Sequence, residues 1–133
     1  MLNWNCFQSV KRTSGFTLIE LLVVMTIIAI LISIVAPRYF SSVDKSKEVV
    51  LRQDLAIVRD AIDKYYGDND KYPDSLEALV SKKYLRKVPI DPITDSATTW
   101  VLVPPSDLDQ GSVFDVHSGA PGNGRDGTPY ASW

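Results

Sequence analysis

One apolar run near the amino terminus constrains this chain more than any other feature. Between Phe16 and Ala36 the only ionisable residue is Glu20. As a helix the run would be about 31 Å long, against a bilayer hydrocarbon core of about 30 Å, so we expect it to span a membrane. Glu20 needs an explanation, because an acidic residue at mid-helix costs about 2.5 to 3.5 kcal/mol on insertion.

The residues before the run predict its orientation. Residues 1–15 form a short leader in which Lys11 and Arg12 are the only charged side chains. Basic residues mark the cytoplasmic flank of a span, so we expect a cytoplasmic amino terminus, with the chain after Pro37 on the far side. A secretory signal peptide is disfavoured, because the small-residue site "SIVAPR" has a proline directly after the candidate alanine.

After the apolar run the hydrophobic pattern becomes one-sided. A stripe at helical spacing predicts that the same helix continues to about residue 66, where Gly67 would stop it. We expect Pro37 to kink this helix, and a break into two helices at Pro37 is the open alternative. The stripe consists of Leu51, Leu55, Val58, Ile62 and Tyr65, and the predicted i,i+4 ion pairs beside it are Glu48 with Arg52 and Asp60 with Lys64.

The second half predicts small elements. A short helix is expected at about 75–82, capped by Asp74 with Glu77 as its capping-box partner. The β-rich runs "TTWVLV" and "SVFDV" predict an antiparallel hairpin over about 98–116, and turn residues fill the final loop, 117–133. Together these patterns predict an α+β fold, in which a long amino-terminal helix, first transmembrane and then amphipathic, packs on a small antiparallel sheet.

Composition argues against several classes of function. The formal net charge of −2 offers no basic footprint for nucleic acid, which we do not expect as a partner. The single cysteine, Cys6, and the single histidine, His117, cannot build a transition-metal or nucleophilic site, and we expect His117 to be a solvated loop residue. Asp91 and Asp95 lie among turn residues, where solvated side chains or local backbone caps are expected, so we do not expect an enzyme.

Two interpretations of Glu20 remain open at this stage. Glu20 could lie near the cytoplasmic interface and be hydrated or protonated there. Alternatively, a cut between Gly15 and Phe16 would create an α-amino group with an unperturbed pKa of roughly 7.7 to 8.0, and this amine could pair with the Glu20 of a neighbouring copy. Glu20 would then fix the register of an assembly of packed helices.

The sequence "GFTLIELLVVMTIIAILISIVAPRYF", residues 15–40, resembles the amino-terminal segment of type IV pilins and type II secretion pseudopilins. The matching residues are Gly15 before the cut, Phe16 as the new first residue, Glu20 as the fifth mature residue, and Pro37 at the kink. The resemblance implies cleavage after Gly15 and methylation of Phe16 by a prepilin peptidase. It also implies a single-pass inner-membrane precursor with a periplasmic domain at 37–133, which polymerises with itself through residues 16–36 into a helical filament. The implied partners are an assembly platform with its ATPase and minor pseudopilins.

The second half of the sequence indicates which branch of the family the chain resembles. The "YP" turn, the short helix, "VPIDP", the hairpin and the closing tryptophan are similar to major pseudopilins of type II secretion, although "DPITDSATTW" departs from the usual turn. The cysteine pair common in type IV pilins is missing, which favours a pseudopilin. A type IV pilin of a surface filament is the alternative. The family also implies calcium in the final loop, for which Asp126, Asp115 and Ser118 are the candidate ligands. Calcium prefers about six to eight oxygen ligands. The alternative interpretation therefore also remains, namely a glycine-rich loop that is held by turns and by packing of Tyr130 and Trp133.

Overall fold

The computed structural model describes residues 1–2 and 12–133 of the chain. Most of the expected leader, including Lys11 and Cys6, lies outside the described residues. The chain divides into two compact units, Met1–Tyr39 and Phe40–Trp133. The elements are α1 (Leu18–Asn69), α2 (Leu76–Ser81), β1 (Val101–Val103) and β2 (Asp115–His117), with 3₁₀ turns at Leu108–Gln110 and Tyr130–Ser132. A long apolar helix with a small antiparallel sheet confirms the predicted α+β class.

Helix α1 contains Pro37 within its bounds, so the alternative of two separate helices is wrong. The expected kink at Pro37 stays a prediction. Gly67 does not end the helix, which runs two residues further to Asn69. The chain leaves the helix at Asp70, which has φ of 53° and donates its amide to the Tyr66 carbonyl. An aspartate tolerates this left-handed conformation better than most residues, so no glycine is required there.

The core of the unit Phe40–Trp133 forms around the predicted stripe of α1. Leu51, Leu55, Val58 and Ile62 are buried, and Tyr65 packs against them while partly exposed. Burying one such aliphatic side chain contributes about 1.5 to 3 kcal/mol, so the stripe is a main source of stability for this unit. The other buried apolar residues of the cluster are Ala61, Leu76, Leu79, Leu85, Trp100, Val113 and Val116.

Helix α2 begins one residue later than the sequence suggested, so Asp74 is not its cap. Ser75 is the N-cap, and its Oγ accepts a hydrogen bond from the Ala78 amide at 3.2 Å. The backbone of Ser75 is extended, which leaves its hydroxyl aimed at the first turn of the helix. Leu76 and Leu79 are the buried residues of this helix.

The sheet is a single antiparallel pair of three-residue strands. Its register pairs Val101 with His117, Leu102 with Val116, and Val103 with Asp115. Trp100 precedes β1 and is buried, and its Nε1 donates to the Pro89 carbonyl at 2.8 Å. His117 lies on β2 and is partly buried, so the expectation of a solvated loop histidine is wrong.

One of the two predicted helix ion pairs forms. Lys64 Nζ lies 2.8 Å from Asp60 Oδ2, as expected for an i,i+4 pair. Arg52 instead bonds Asp126 at 3.0 Å, and Glu48 accepts hydrogen bonds from the Arg125 amide and the Tyr130 hydroxyl. The prediction for Glu48 is wrong because groups of the final loop reach both helix residues.

Candidate processing and assembly site

The start of α1 is built around a reciprocal pair of hydrogen bonds. Thr17 Oγ1 accepts from the Glu20 amide at 3.2 Å, and Glu20 Oε2 accepts from the Thr17 amide at 3.3 Å. This arrangement is a capping box, which satisfies backbone donors that a helix start would otherwise leave unpaired. The signal Thr-x-x-Glu is present in "TLIE". Sequence reasoning considered Glu20 only as a charge in a membrane and missed Thr17.

Gly15 and Phe16 lie before the helix and are exposed, Phe16 with 90% of its surface accessible. A Cβ added to Gly15 would meet no heavy atom within 4 Å. The structure of the chain therefore does not itself require glycine at this position. Any requirement for Gly15 would come from an external agent that acts on this exposed segment.

The described residues of its own unit do not cover the apolar run. From Phe16 to Val35 every side chain is exposed, and α1 is long and apolar enough to cross a membrane. Thr26 and Ser33 donate their hydroxyls to the Leu22 and Ile30 carbonyls at 2.7 Å, so the helix itself satisfies these polar groups. An apolar surface of this size in water calls for lipid or for other copies of the same helix.

Glu20 is the ionisable group of that surface. Among the described residues, the hydrogen bonds to its carboxylate come from Thr17, an uncharged residue, at 3.3 and 3.4 Å on Oε2. A cap of this kind positions the carboxylate but does not neutralise its charge. The structure thus places the Glu20 carboxylate beside Thr17, the residue after Phe16, and the pairing with an amine of a neighbouring copy stays a prediction.

The calcium candidates in the final loop are each bonded to other protein groups. Asp115 Oδ1 accepts from Arg59 Nε at 2.8 Å and from the Val116 amide at 2.7 Å. Ser118 is buried and donates its hydroxyl to Asp91. Asp91 Oδ1 accepts from the Ile93 amide at 2.9 Å, so Asp91 is a local backbone cap, one of the two roles expected for it.

Asp126 is the third candidate and is exposed. Its Oδ1 accepts from the Thr128 amide at 3.0 Å and from the Thr128 hydroxyl at 2.6 Å, and its Oδ2 accepts from Arg52 at 3.0 Å. The two bonds from Thr128, together with Arg52, lower the pKa of Asp126. Burial acts to raise the pKa of Asp115, but the bonds from Arg59 and Val116 outweigh it and lower that pKa too.

These residues do not fit a calcium site. Calcium takes about six to eight oxygen ligands at 2.3 to 2.6 Å, most of them from carboxylates and carbonyls. Across residues 1–2 and 12–133 no group of three or more His, Cys, Asp or Glu is placed to hold a metal ion. Asp126 of the final loop is instead bonded to Arg52, and Asp115 of β2 to Arg59, two arginines that sequence reasoning did not connect with these acids.

Comparisons with known proteins agree with the motif at the helix start. Residues 10–36 match the family described as "Prokaryotic N-terminal methylation motif". This match contains Gly15, Phe16 and Glu20. No solved structure matches the chain significantly.

Curated relatives share one name. A "Type II secretion system core protein G" of Pseudomonas aeruginosa is 39% identical over 98 residues, which cover 62% of this chain and 69% of the relative. Proteins of the same name from Klebsiella pneumoniae and Vibrio cholerae are each 30% identical over alignments of 138 positions. These alignments cover 92% and 90% of this chain and 91% and 92% of the relatives. The similarity therefore extends from the helix start through the globular unit.

Proposed function

Because the chain belongs to the family of type II secretion system core protein G, we propose that it is the repeating structural subunit of a type II secretion pseudopilus. The observation that carries this proposal is the apolar run 16–36, exposed from Phe16 to Val35, with a single carboxylate, Glu20, at its start. A surface of that kind suits a subunit that first rests in a membrane and then packs against copies of itself. The role is mechanical, and the growing filament drives protein export.

The first step of the proposed pathway is processing. A prepilin peptidase cuts after Gly15 and methylates the new amine of Phe16. Two features support this step, namely the exposure of both residues and their position before the first turn of α1. A non-helical, accessible segment is the form in which a peptidase can bind a backbone.

Assembly is the second step. Residues 16–36 pack against the same segment of neighbouring subunits, and each Glu20 pairs with the amine of an adjacent Phe16. Burial of the carboxylate beside a cation offsets the free-energy cost of an unpaired carboxylate in lipid. Pro37 kinks the helix close to the point where the membrane segment ends.

The location follows from the same features. The precursor is a single-pass protein of the inner membrane. Its amino terminus, with Lys11 and Arg12, is in the cytoplasm, and residues 37–133 are in the periplasm. The subunit then joins a periplasmic filament. Its partners are its own copies, the peptidase, the assembly platform and minor pseudopilins, and it carries out no catalysis itself.

Deletion of the gene in its native host tests the proposal. We expect exported substrates to accumulate in the periplasm, and the wild-type gene on a plasmid to restore their release. A Glu20→Leu gene expressed at the same level should not restore it. Normal secretion together with loss of long surface fibres would overturn the proposal in favour of a type IV pilin.

A further inference from the structure

Arg59 joins three points of the chain that are distant in sequence. Its Nε donates to Asp115 Oδ1 at 2.8 Å, and its Nη2 donates to the carbonyls of Val116 at 2.9 Å and Trp133 at 2.8 Å. The side chain keeps 37% of its surface accessible. One guanidinium thus ties α1 to β2 and to the last residue of the final loop. His117 Nδ1 lies 2.6 Å from the same Trp133 oxygen.

Arg52 holds the loop at a second point. Its Nη2 donates to Asp126 Oδ2 at 3.0 Å, and its Cζ lies 3.9 Å from the ring centroid of Trp133. A cation over an indole face is attracted by the ring as well as by the carboxylate. Arg52 and Arg59 are seven residues apart, which is two helical turns, so both project from one side of α1.

The loop is close-packed around these contacts. Gly124 is buried against Trp133, and a Cβ at Gly124 would lie 2.3 Å from Trp133 Cζ2. Trp133 Nε1 donates to the Thr128 hydroxyl at 2.7 Å, and the Tyr130 hydroxyl donates to Glu48 at 3.1 Å. The glycine is therefore needed for close approach of the backbone to the indole.

We propose that Arg52 and Arg59 take the structural place of a divalent cation in this chain, so that the final loop orders and the protein folds without calcium. Three of the four carboxylate oxygens of Asp115 and Asp126 already accept N–H or O–H donors, and the fourth, Asp115 Oδ2, lies 3.8 Å from His117 Nε2. Asp115 Oδ1 has two such donors, and each oxygen of Asp126 has at least one. The lowered pKa values of both carboxyls agree with this, since donors that stabilise a charged carboxylate lower its pKa.

The test is thermal unfolding of the full chain in detergent micelles, followed by tryptophan fluorescence, in calcium chloride and in EGTA. We expect the two midpoints to agree within about 1 °C. A structural calcium ion at about a hundred times its Kd would raise the midpoint by more than about 10 °C. A calcium-dependent rise of that size, or stoichiometric calcium binding by calorimetry in the micromolar range, would overturn the proposal. This test needs no filament, so it can fail independently of the proposed function.

Variants test the role of the arginines themselves. Arg59→Gln should lower the midpoint by about 5 °C or more and speed proteolysis within residues 117–133, and calcium should not restore either. The matched control is Arg86→Gln, since Arg86 is an exposed arginine outside the loop. If Arg59→Gln does not fold, Arg59→Lys can be used instead. It keeps the charge but loses the planar guanidinium, so we expect a smaller decrease of the midpoint. A wild-type midpoint in the Arg59 variants would contradict the proposal.

Discussion

Replacing Glu20 with leucine should leave membrane insertion and cleavage intact while strongly reducing filament formation. Within the chain, Glu20 accepts two bonds from Thr17 at 3.3 and 3.4 Å. Loss of a cap costs about 1 kcal/mol, and it affects only the first turn of a helix of 52 residues. We therefore do not expect the variant to lose its helix, and a defect in assembly must come from contacts between copies.

The size of the effect follows from the cost of the carboxylate in lipid. That cost is about 2.5 to 3.5 kcal/mol at mid-helix, which is an upper bound for Glu20 in the first turn of α1, and leucine removes it from the membrane-bound subunit. In the filament, pairing with an amine offsets the cost for the wild type but offers nothing to leucine. The equilibrium should therefore shift toward the membrane pool by up to roughly 100-fold, since about 1.4 kcal/mol corresponds to a factor of ten.

The assay compares sheared filaments with the membrane pool by immunoblot in cells that express the assembly machinery. Thr17→Ala removes the cap but keeps the carboxylate, so it should assemble nearly as well as the wild type. Ser33→Leu replaces a neutral hydroxyl that donates to the Ile30 carbonyl at 2.7 Å, and it controls for added hydrophobicity. A wild-type filament ratio for Glu20→Leu, or an equal loss for Thr17→Ala, would refute the reasoning.

Three further predictions concern processing and the globular unit. Gly15→Leu should leave the precursor uncut, as measured by intact mass. The fold itself should not change, because the position has open space. Normal cleavage would contradict the leader assignment. Asp91→Ala should lower the free energy of unfolding by about 3 kcal/mol in urea titrations, because it leaves buried donors unpaired, while exposed Asp63→Ala should change it little. Although burial acts to raise the pKa of Asp115, bonds from Arg59 lower it, so the folded state binds fewer protons. Stability should then fall as the pH drops from about 4 through the folded-state pKa, and this acid loss should be smaller in Asp115→Asn.

Helical periodicity made much of the fold predictable. The burial of Leu51, Leu55, Val58 and Ile62 could be read from their spacing, because a stripe at helical period must face a core. The exact ends of the helices were less predictable from the sequence. Asp70 and Ser75 end and begin helices in place of Gly67 and Asp74, because several residue types satisfy the same backbone requirement and only the packed structure selects one.

The partners of the final loop could not be predicted from local pattern. Arg52 and Asp126 are 74 positions apart, and Arg59 and Asp115 are 56 apart. Local reasoning assigned Arg52 to Glu48, which is the nearest acid at helical spacing. Tertiary packing overrode that pair, because the loop brings donors to Glu48 and a carboxylate to Arg52 within the same unit.

The capping role of Glu20 is compatible with the assembly role that we propose for it. Both bonds from Thr17 fall on Oε2, and a carboxylate offers about four acceptor positions on its two oxygens. The cap therefore leaves acceptor capacity for an ammonium group of another copy. It also holds the carboxyl group at the positive end of the α1 dipole. A subunit in the membrane thus keeps its carboxylate oriented at the helix start, with acceptor positions available to a cation of a neighbouring copy in the proposed filament.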